Sequence, residues 1–169
     1  SFEIKGDRIS YDKFNISSAS LIASLSNKRL NIDAFDINPS EKESIRLAGW
    51  IKNDGELSLN LDTVGVSLSN FGEALSLPEI TGTLSATLHA GGKLTKPEAE
   101  GAVSLKGLGS NGHTLKDLAF SLKLENSILR IDTAGDASSS ASPFSLWANL
   151  ERKDFGADAD IQNAVLTPL

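Results

Sequence analysis

Residues 82–105 read GTLSATLHAGGKLTKPEAEGAVSL. Gly82, Leu84, Ala86, Leu88 and Ala90 share one phase, and Thr83, Ser85, Thr87 and His89 the other. Past the centre, Ala99, Gly101, Val103 and Leu105 alternate with Glu100, Ala102 and Ser104. Successive side chains of a strand point to opposite faces, so this alternation describes strands with one apolar and one wet face. Gly91-Gly92 and Pro97 punctuate the middle and reverse the chain. The stretch reads as a hairpin whose apolar face is thin, Leu and Val beside Gly and Ala.

The same period runs through the rest of the chain. Ala19, Leu21, Ala23 and Leu25 alternate before a turn at Ser26-Asn27-Lys28-Arg29. Leu30 and Ile32 then hold one phase and Phe35 and Ile37 the other, which predicts a bulge near Ala34. Ile45, Leu47, Gly49 and Ile51 lead to Asn53-Asp54-Gly55, a hairpin signal, and Leu57, Leu59 and Leu61 follow. Leu118, Phe120, Leu122 and Leu124 precede a turn at Glu125-Asn126-Ser127, then Leu129 and Ile131. Phe144, Leu146, Ala148 and Leu150 precede a turn at Arg152-Lys153-Asp154, and Phe155, Ala157, Ala159 and Ile161 close the series. About a dozen one-sided strands result, the pattern of an antiparallel meander. One segment departs from period two. Phe71, Ala74 and Leu75 have helical spacing, Asn70 with Glu73 has capping-box spacing, and Pro78 blocks continuation, which predicts a short helix near 70–76.

The chain also repeats. Leu25, Asn27, Leu30, Ile32 and Asp33 match Leu124, Asn126, Leu129, Ile131 and Asp132 at an offset of 99 residues. Leu47 matches Leu146 at the same offset, and Leu68-Ser69 lines up with Leu166-Thr167 at 98. A long repeat of hairpins implies an elongated array stacked along one axis, and residues 1–169 read as one β-repeat domain, a fragment of a longer array.

Composition bounds the function. The chain has 169 residues, 40% of them hydrophobic, enough to fold, but only 6% aromatic. A net charge of −6 argues against nucleic acid and against simple electrostatic docking on an anionic membrane. There is no cysteine, hence no disulfide, thiol catalysis or Cys-ligated zinc. No apolar run approaches the roughly 18 residues of a membrane helix. The two histidines, His89 on a wet strand phase and His113 in a turn, have no HxH or HExxH spacing, so no metal site is expected. Ser10 to Lys13 fits S-x-x-K without partner motifs, and no nucleophile elbow, P-loop or dinucleotide fingerprint occurs. The carboxylates are spread over the wet phase and the turns, the Ser-rich stretch 135–143 reads as a loop, and no cofactor is implied. Trp50 and Trp147 lie on the phase opposite to the apolar residues, where each either packs over a neighbouring strand or meets a partner. No constellation supports an enzyme.

Gly82, Leu84, Leu88, Gly92, Pro97, Gly101, Val103 and Leu105 together resemble the signature hairpin of the TamB/AsmA-like superfamily. The preceding VGVSLSNFGEALSLPEITG resembles the short helix before that hairpin, and KDLAFSLKLENSILRIDT the strand-turn-strand after it. The resemblance covers nearly the whole chain in the family's order. It implies a long sheet curled into a groove, and a large envelope protein spanning the bacterial periplasm from an inner-membrane anchor. It implies phospholipid acyl chains as cargo moving between inner and outer membranes, and an outer-membrane barrel assembly protein as a partner. It supplies no catalytic residues.

The residues themselves point the same way. An apolar sheet face must be covered, and in a closed sandwich bulky residues of both sheets do so. Here Gly49, Gly82, Ala86, Ala90, Ala99, Gly101, Ala148, Ala157 and Ala159 recur on that face and leave room. Each buried CH₂ gains roughly 0.8 kcal/mol wherever it sits, so an acyl chain meets no deep trap along such a wall. The expected fold is therefore all-β, an elongated, curled antiparallel sheet with an apolar concave face, with a closed β-sandwich as the alternative. The expected groove lining is Leu21, Leu25, Leu30, Ile32, Ile45, Leu47, Ile51, Leu57, Leu59, Leu61, Leu84, Leu88, Val103, Leu105, Leu118, Phe120, Leu122, Leu124, Leu129, Ile131, Phe144, Leu146 and Leu150. Two other functions fit this pattern: a module that binds client strands at an open sheet edge, and an adhesin-like binding surface on a dry core. An exposed apolar strip also predicts that the isolated fragment dimerises or binds detergent.

Overall fold

The computed structural model describes residues 1–11, 14–69, 80–110, 113–114, 117–133 and 144–159. The short helix expected near 70–76, the Ser-rich loop at 135–143 and the end of the series at Ile161 lie outside the described residues. The strands are β1 (Phe2–Tyr11), β2 (Phe14–Ser26), β3 (Arg29–Asn38), β4 (Ser44–Lys52), β5 (Glu56–Ser67), β6 (Ile80–Lys93), β7 (Lys96–Ser110), β8 (His113–Thr114), β9 (Leu118–Glu125), β10 (Ile128–Thr133), β11 (Phe144–Asn149) and β12 (Asp154–Ala159). They form one sheet in chain order, with the two-residue β8 set off the path against β7. Every neighbouring pair is antiparallel, and the ends β1 and β12 do not meet, so the sheet stays open.

Alternation becomes architecture through the register. One row across the sheet runs Ile4, Leu21, Phe35, Leu47, Leu61, Leu88, Gly101, Leu122, Ile131, Leu146, Ala157. The next runs Phe2, Ala23, Ile32, Gly49, Leu59, Ala90, Ala99, Leu124, Leu129, Ala148, Phe155. Neither row contains a polar side chain. Because a one-residue slip would turn a strand's whole apolar set to the wet side, this pattern fixes the register of each pair.

Three irregularities keep the rows aligned where the sequence changes phase. The expected bulge near Ala34 is present, with register shifts beside Ile22 and between Ile32 and Phe35. A second lies between Thr63 and Val66, around Gly65 with φ 62°. It carries Val66 onto the apolar face beside Leu84 and leaves Val64 outside. A third separates Thr81 from Thr83 where β6 meets β7. Bulges bend a strand and increase its twist. Two glycines add close backbone approaches. A Cβ on Gly49 (φ 141°) would stand 2.1 Å from the Ser58 carbonyl oxygen, and one on Gly101 would stand 2.2 Å from that of Thr87. Kinks of this kind are how sheets are curled.

The tight turns obey hairpin chemistry. Asn27-Lys28 (φ 49° and 60°) and Asn126-Ser127 (φ 51° and 61°) are left-handed at both central residues. That is the primed turn whose twist matches two paired strands.

Little of the apolar face is fully covered. Among the described residues Val66 is the one large side chain that is fully buried, and Ala23, Leu57 and Ala86 complete the buried apolar set. Most of the remaining Leu and Ile on that face are half-buried. The whole chain exposes 11,979 Å², where a compact protein of 17.9 kDa exposes about 8,000 Å². Substantial strand contacts run only between sheet neighbours. The closed sandwich weighed from the sequence is overturned: the described strands make a single curled layer.

Candidate functional site

The apolar face is built from eleven of the twelve described strands. At about 4.8 Å per strand, its eleven-strand rows run roughly 48 Å. Leu21, Ile32, Leu47, Leu59, Leu61, Leu88, Leu122, Leu124, Leu129, Ile131 and Leu146, all expected in the groove, stand in the two central rows. Leu30, Ile51 and Leu57 form a short row beside them toward the tight turns. Ile45, Val103 and Phe120 lie in a third row that also holds Thr63 and Ala86. Leu84, Leu105 and Leu118 line up with Val66 near the other end. Phe144 sits opposite Thr133, whose hydroxyl accepts from the Phe144 N–H at 2.8 Å.

Two expected lining residues stand apart. Leu25 pairs with Leu30 but is 75% exposed, two residues past the Phe2–Ala23 pair of β1 with β2. Leu150 lies in the β11–β12 turn, outside every row. Phe35, Ile37 and Val66 belong to the face but were not in the expected lining. Each follows a bulge, so its phase in the sequence is the reverse of its phase in the sheet. Phe2, Ile4 and Phe155 continue the rows onto the two edge strands.

The face offers packing and almost no hydrogen bonding. Its one buried polar side chain is Thr63, whose Oγ1 has no partner among the described residues. Toward β12 the rows form an apolar depression of about 430 Å³ between Leu129, Ile131, Leu146 and Phe155.

The opposite face is wet and internally paired. Asn60, His89, Glu100, Lys123, Arg130 and Trp147 stand in one row. His89 Nδ1 lies 2.8 Å from Asn60 Oδ1. Asp36 lies within β3 and receives the Arg46 guanidinium at 2.6 Å. That hydrogen bond holds Arg46 above the ordinary guanidinium value, and the Glu125 carboxylate does the same for the Lys123 ammonium. A depression of about 580 Å³ on this face includes Asn60, His89, Glu100 and Lys123, all solvent-exposed. No metal-binding cluster occurs among the described residues. His113 is exposed in β8.

Both tryptophans find partners within the chain. A Cβ on Gly156 would stand 2.6 Å from the Trp147 indole, which lies over that glycine on the neighbouring strand. Trp50 is flanked by Arg29 and Lys52, 5.7 and 5.0 Å from the ring centre. Packing over a neighbouring strand, the plainer of the two readings, describes Trp147.

Comparison with family models, with curated proteins and with solved structures finds no match for this chain.

Proposed function

We propose that this chain is a segment of a non-enzymatic lipid conduit of the TamB/AsmA-like kind. In this reading it stands in the periplasm of a bacterial envelope, in a protein anchored in the inner membrane, and carries phospholipid acyl chains toward the outer membrane. The observation that carries the reading is the pair of central rows, unbroken by a polar side chain from β1 to β12. An open, single-layered sheet leaves those rows available to a ligand. Interchangeable Leu, Ile and Ala contacts bind aliphatic chain without fixing its position, since apolar burial scales with area and not with direction. An enzyme pocket needs convergent polar groups, and the described residues of this face present none.

A charge in the wall tests the reading. Leu122→Asp or Leu59→Arg in the full protein should abolish lipid co-purification and envelope function while the chain stays soluble and folded. Full activity with either charge in place would contradict the proposal. A second reading has its own observation: β1 and β12 each pair with one neighbour only among the described strands, and their outer edges could add a strand from an outer-membrane client or a barrel assembly partner. Loss-of-function substitutions would then gather on those edge strands and spare Leu61 and Leu122.

A further inference from the structure

Over β3 to β7 the apolar face is bordered, toward the tight turns, by a row of charged side chains. Arg29, Lys52, Glu56, Lys93 and Lys96 stand next to one another across these five strands. Each is the chain neighbour of a residue in the adjoining inward row: Leu30, Ile51, Leu57, Gly92 and Pro97. At about 4.8 Å per strand the charged row runs roughly 19 Å, parallel to the apolar rows. The three turns that end these strands are tied together. The Asn53 N–H donates to Lys28 O at 3.0 Å, and the Leu94 N–H to Gly55 O at 2.9 Å.

By the ordinary rules of a sheet this row is unfavourable. Like charges directly opposite on a ladder destabilise it. Here Arg29 faces Lys52, and Lys93 faces Lys96. The one acid of the row, Glu56, is engaged by the Lys52 ammonium. Arg29, Lys93 and Lys96 are exposed and have no carboxylate partner among the described residues. Four cations and one acid leave a local positive surplus in a chain whose net charge is −6. Local rules of this kind are broken mainly where function supplies the missing contact.

The ligand follows from what lies beside the row. An acyl chain packed along Leu30, Ile51 and Leu57 leaves its polar head at the strand ends. Lys and Arg stems lie on apolar surface while their charged tips reach toward water, so the row's cations meet that head. On the conduit reading, on which this rests, we infer that Arg29, Lys52, Lys93 and Lys96 form a headgroup rail, which takes the phosphate of an anionic phospholipid whose tails lie in the groove. As the tails slide along the apolar rows, the phosphate passes from one cation to the next. Phosphatidylglycerol carries a net negative charge and gains most from the rail. Phosphatidylcholine brings its own cation beside its phosphate and gains little. The row is exposed, so the preference fades as ionic strength rises.

The test titrates the full chain with dioctanoyl phosphatidylglycerol and dioctanoyl phosphatidylcholine, identical in their tails, at low ionic strength. The wild-type chain should bind phosphatidylglycerol about fivefold more tightly. The triple variant R29Q/K93Q/K96Q should bring that ratio close to one and leave the affinity for phosphatidylcholine unchanged. Lys96→Glu has a second readout. It turns a like-charge pair into an opposite one, so the chain should melt about 1–3 °C higher while its preference for phosphatidylglycerol falls. Equal wild-type affinities for the two lipids overturn the inference and leave the conduit standing. A Lys96→Glu chain that keeps the full preference overturns it too, as does a triple variant that loses both lipids alike. Glycerol phosphate bound as tightly as phosphatidylglycerol would make the row a free-phosphate site independent of the groove, and also overturns it. Leu122→Asp, inside the groove, should weaken both lipids alike and keep their ratio. A wild-type chain that binds neither lipid removes the conduit reading and this one with it.

Discussion

Alanine sits on both faces of this sheet and reports two environments. On the apolar face, Ala23 and Ala86 are 1% and 8% exposed, and Ala90 and Ala99 are half-buried. On the wet face of the same ladder, Ala102 and Ala119 are exposed. Within β7 the strand is shared as well as the residue, with Ala99 half-buried and Ala102 exposed, so the difference comes from the neighbours on each face. Leu, Ile and Phe side chains from adjacent strands crowd toward one another on the inner side, while those on the outer side splay apart. A single layer thus acquires an inside without a second layer to pack against.

Substitutions that remove the curl should have the largest effect. Gly101→Ala sets a methyl 2.2 Å from the Thr87 carbonyl oxygen, and backbone, unlike a flexible side-chain end, cannot step aside. We expect a loss of about 3 kcal/mol or more, in the range of strain at a special backbone position. One position along, on the outer face, Ala102→Ser should stay within about 0.5 kcal/mol. Chemical denaturation of the pair measures the contrast, and equal effects would mean the glycine is not a kink.

Charge should discriminate between the faces next. Leu122→Asp places a carboxylate in the unbroken row and should cost roughly 1–3 kcal/mol, whereas Ser121→Asp beside it should cost almost nothing. Thermal melts of the two variants give the comparison. Truncation follows: Leu59→Ala, half-buried, should lose about 1–2 kcal/mol, below the 2–5 of a closed core, and Asn60→Ala close to zero. A Leu59→Ala cost in the full core range would show the face to be sealed, not open. The smallest change has the opposite sign. The Thr63 hydroxyl on the inner face has no partner among the described residues, so Thr63→Val should raise stability by about 1 kcal/mol. A lower melting temperature would show that the hydroxyl has a partner.

Much of this architecture is legible in the sequence because period two is a strong signal on a sheet with one dry face. The turns at Asn27-Lys28, Asn53-Gly55 and Asn126-Ser127 announce themselves by residue type, and the bulge near Ala34 by a change of phase. What escaped is where a phase change hides in short apolar runs. Val64-Gly65-Val66 offers two candidate inward valines, and only the register with β6 decides for Val66. Leu150 continues its strand's alternation, yet the chain has already turned, since Asn149 Oδ1 accepts from the N–H groups of Glu151 and Arg152. The curl itself depends on Gly49 and Gly101 standing against a neighbouring strand's backbone. A sequence shows the glycine and not the neighbour.

Photo-crosslinking in living cells tests most directly whether lipid travels along the inner face. A photoreactive residue placed at Leu59, Leu122 or Ile131 of the full-length protein should yield lipid adducts, and the same residue at Ser58 or Lys123 on the outer face should yield few. Adducts no more frequent at the three inner positions than at the two outer ones would contradict the account.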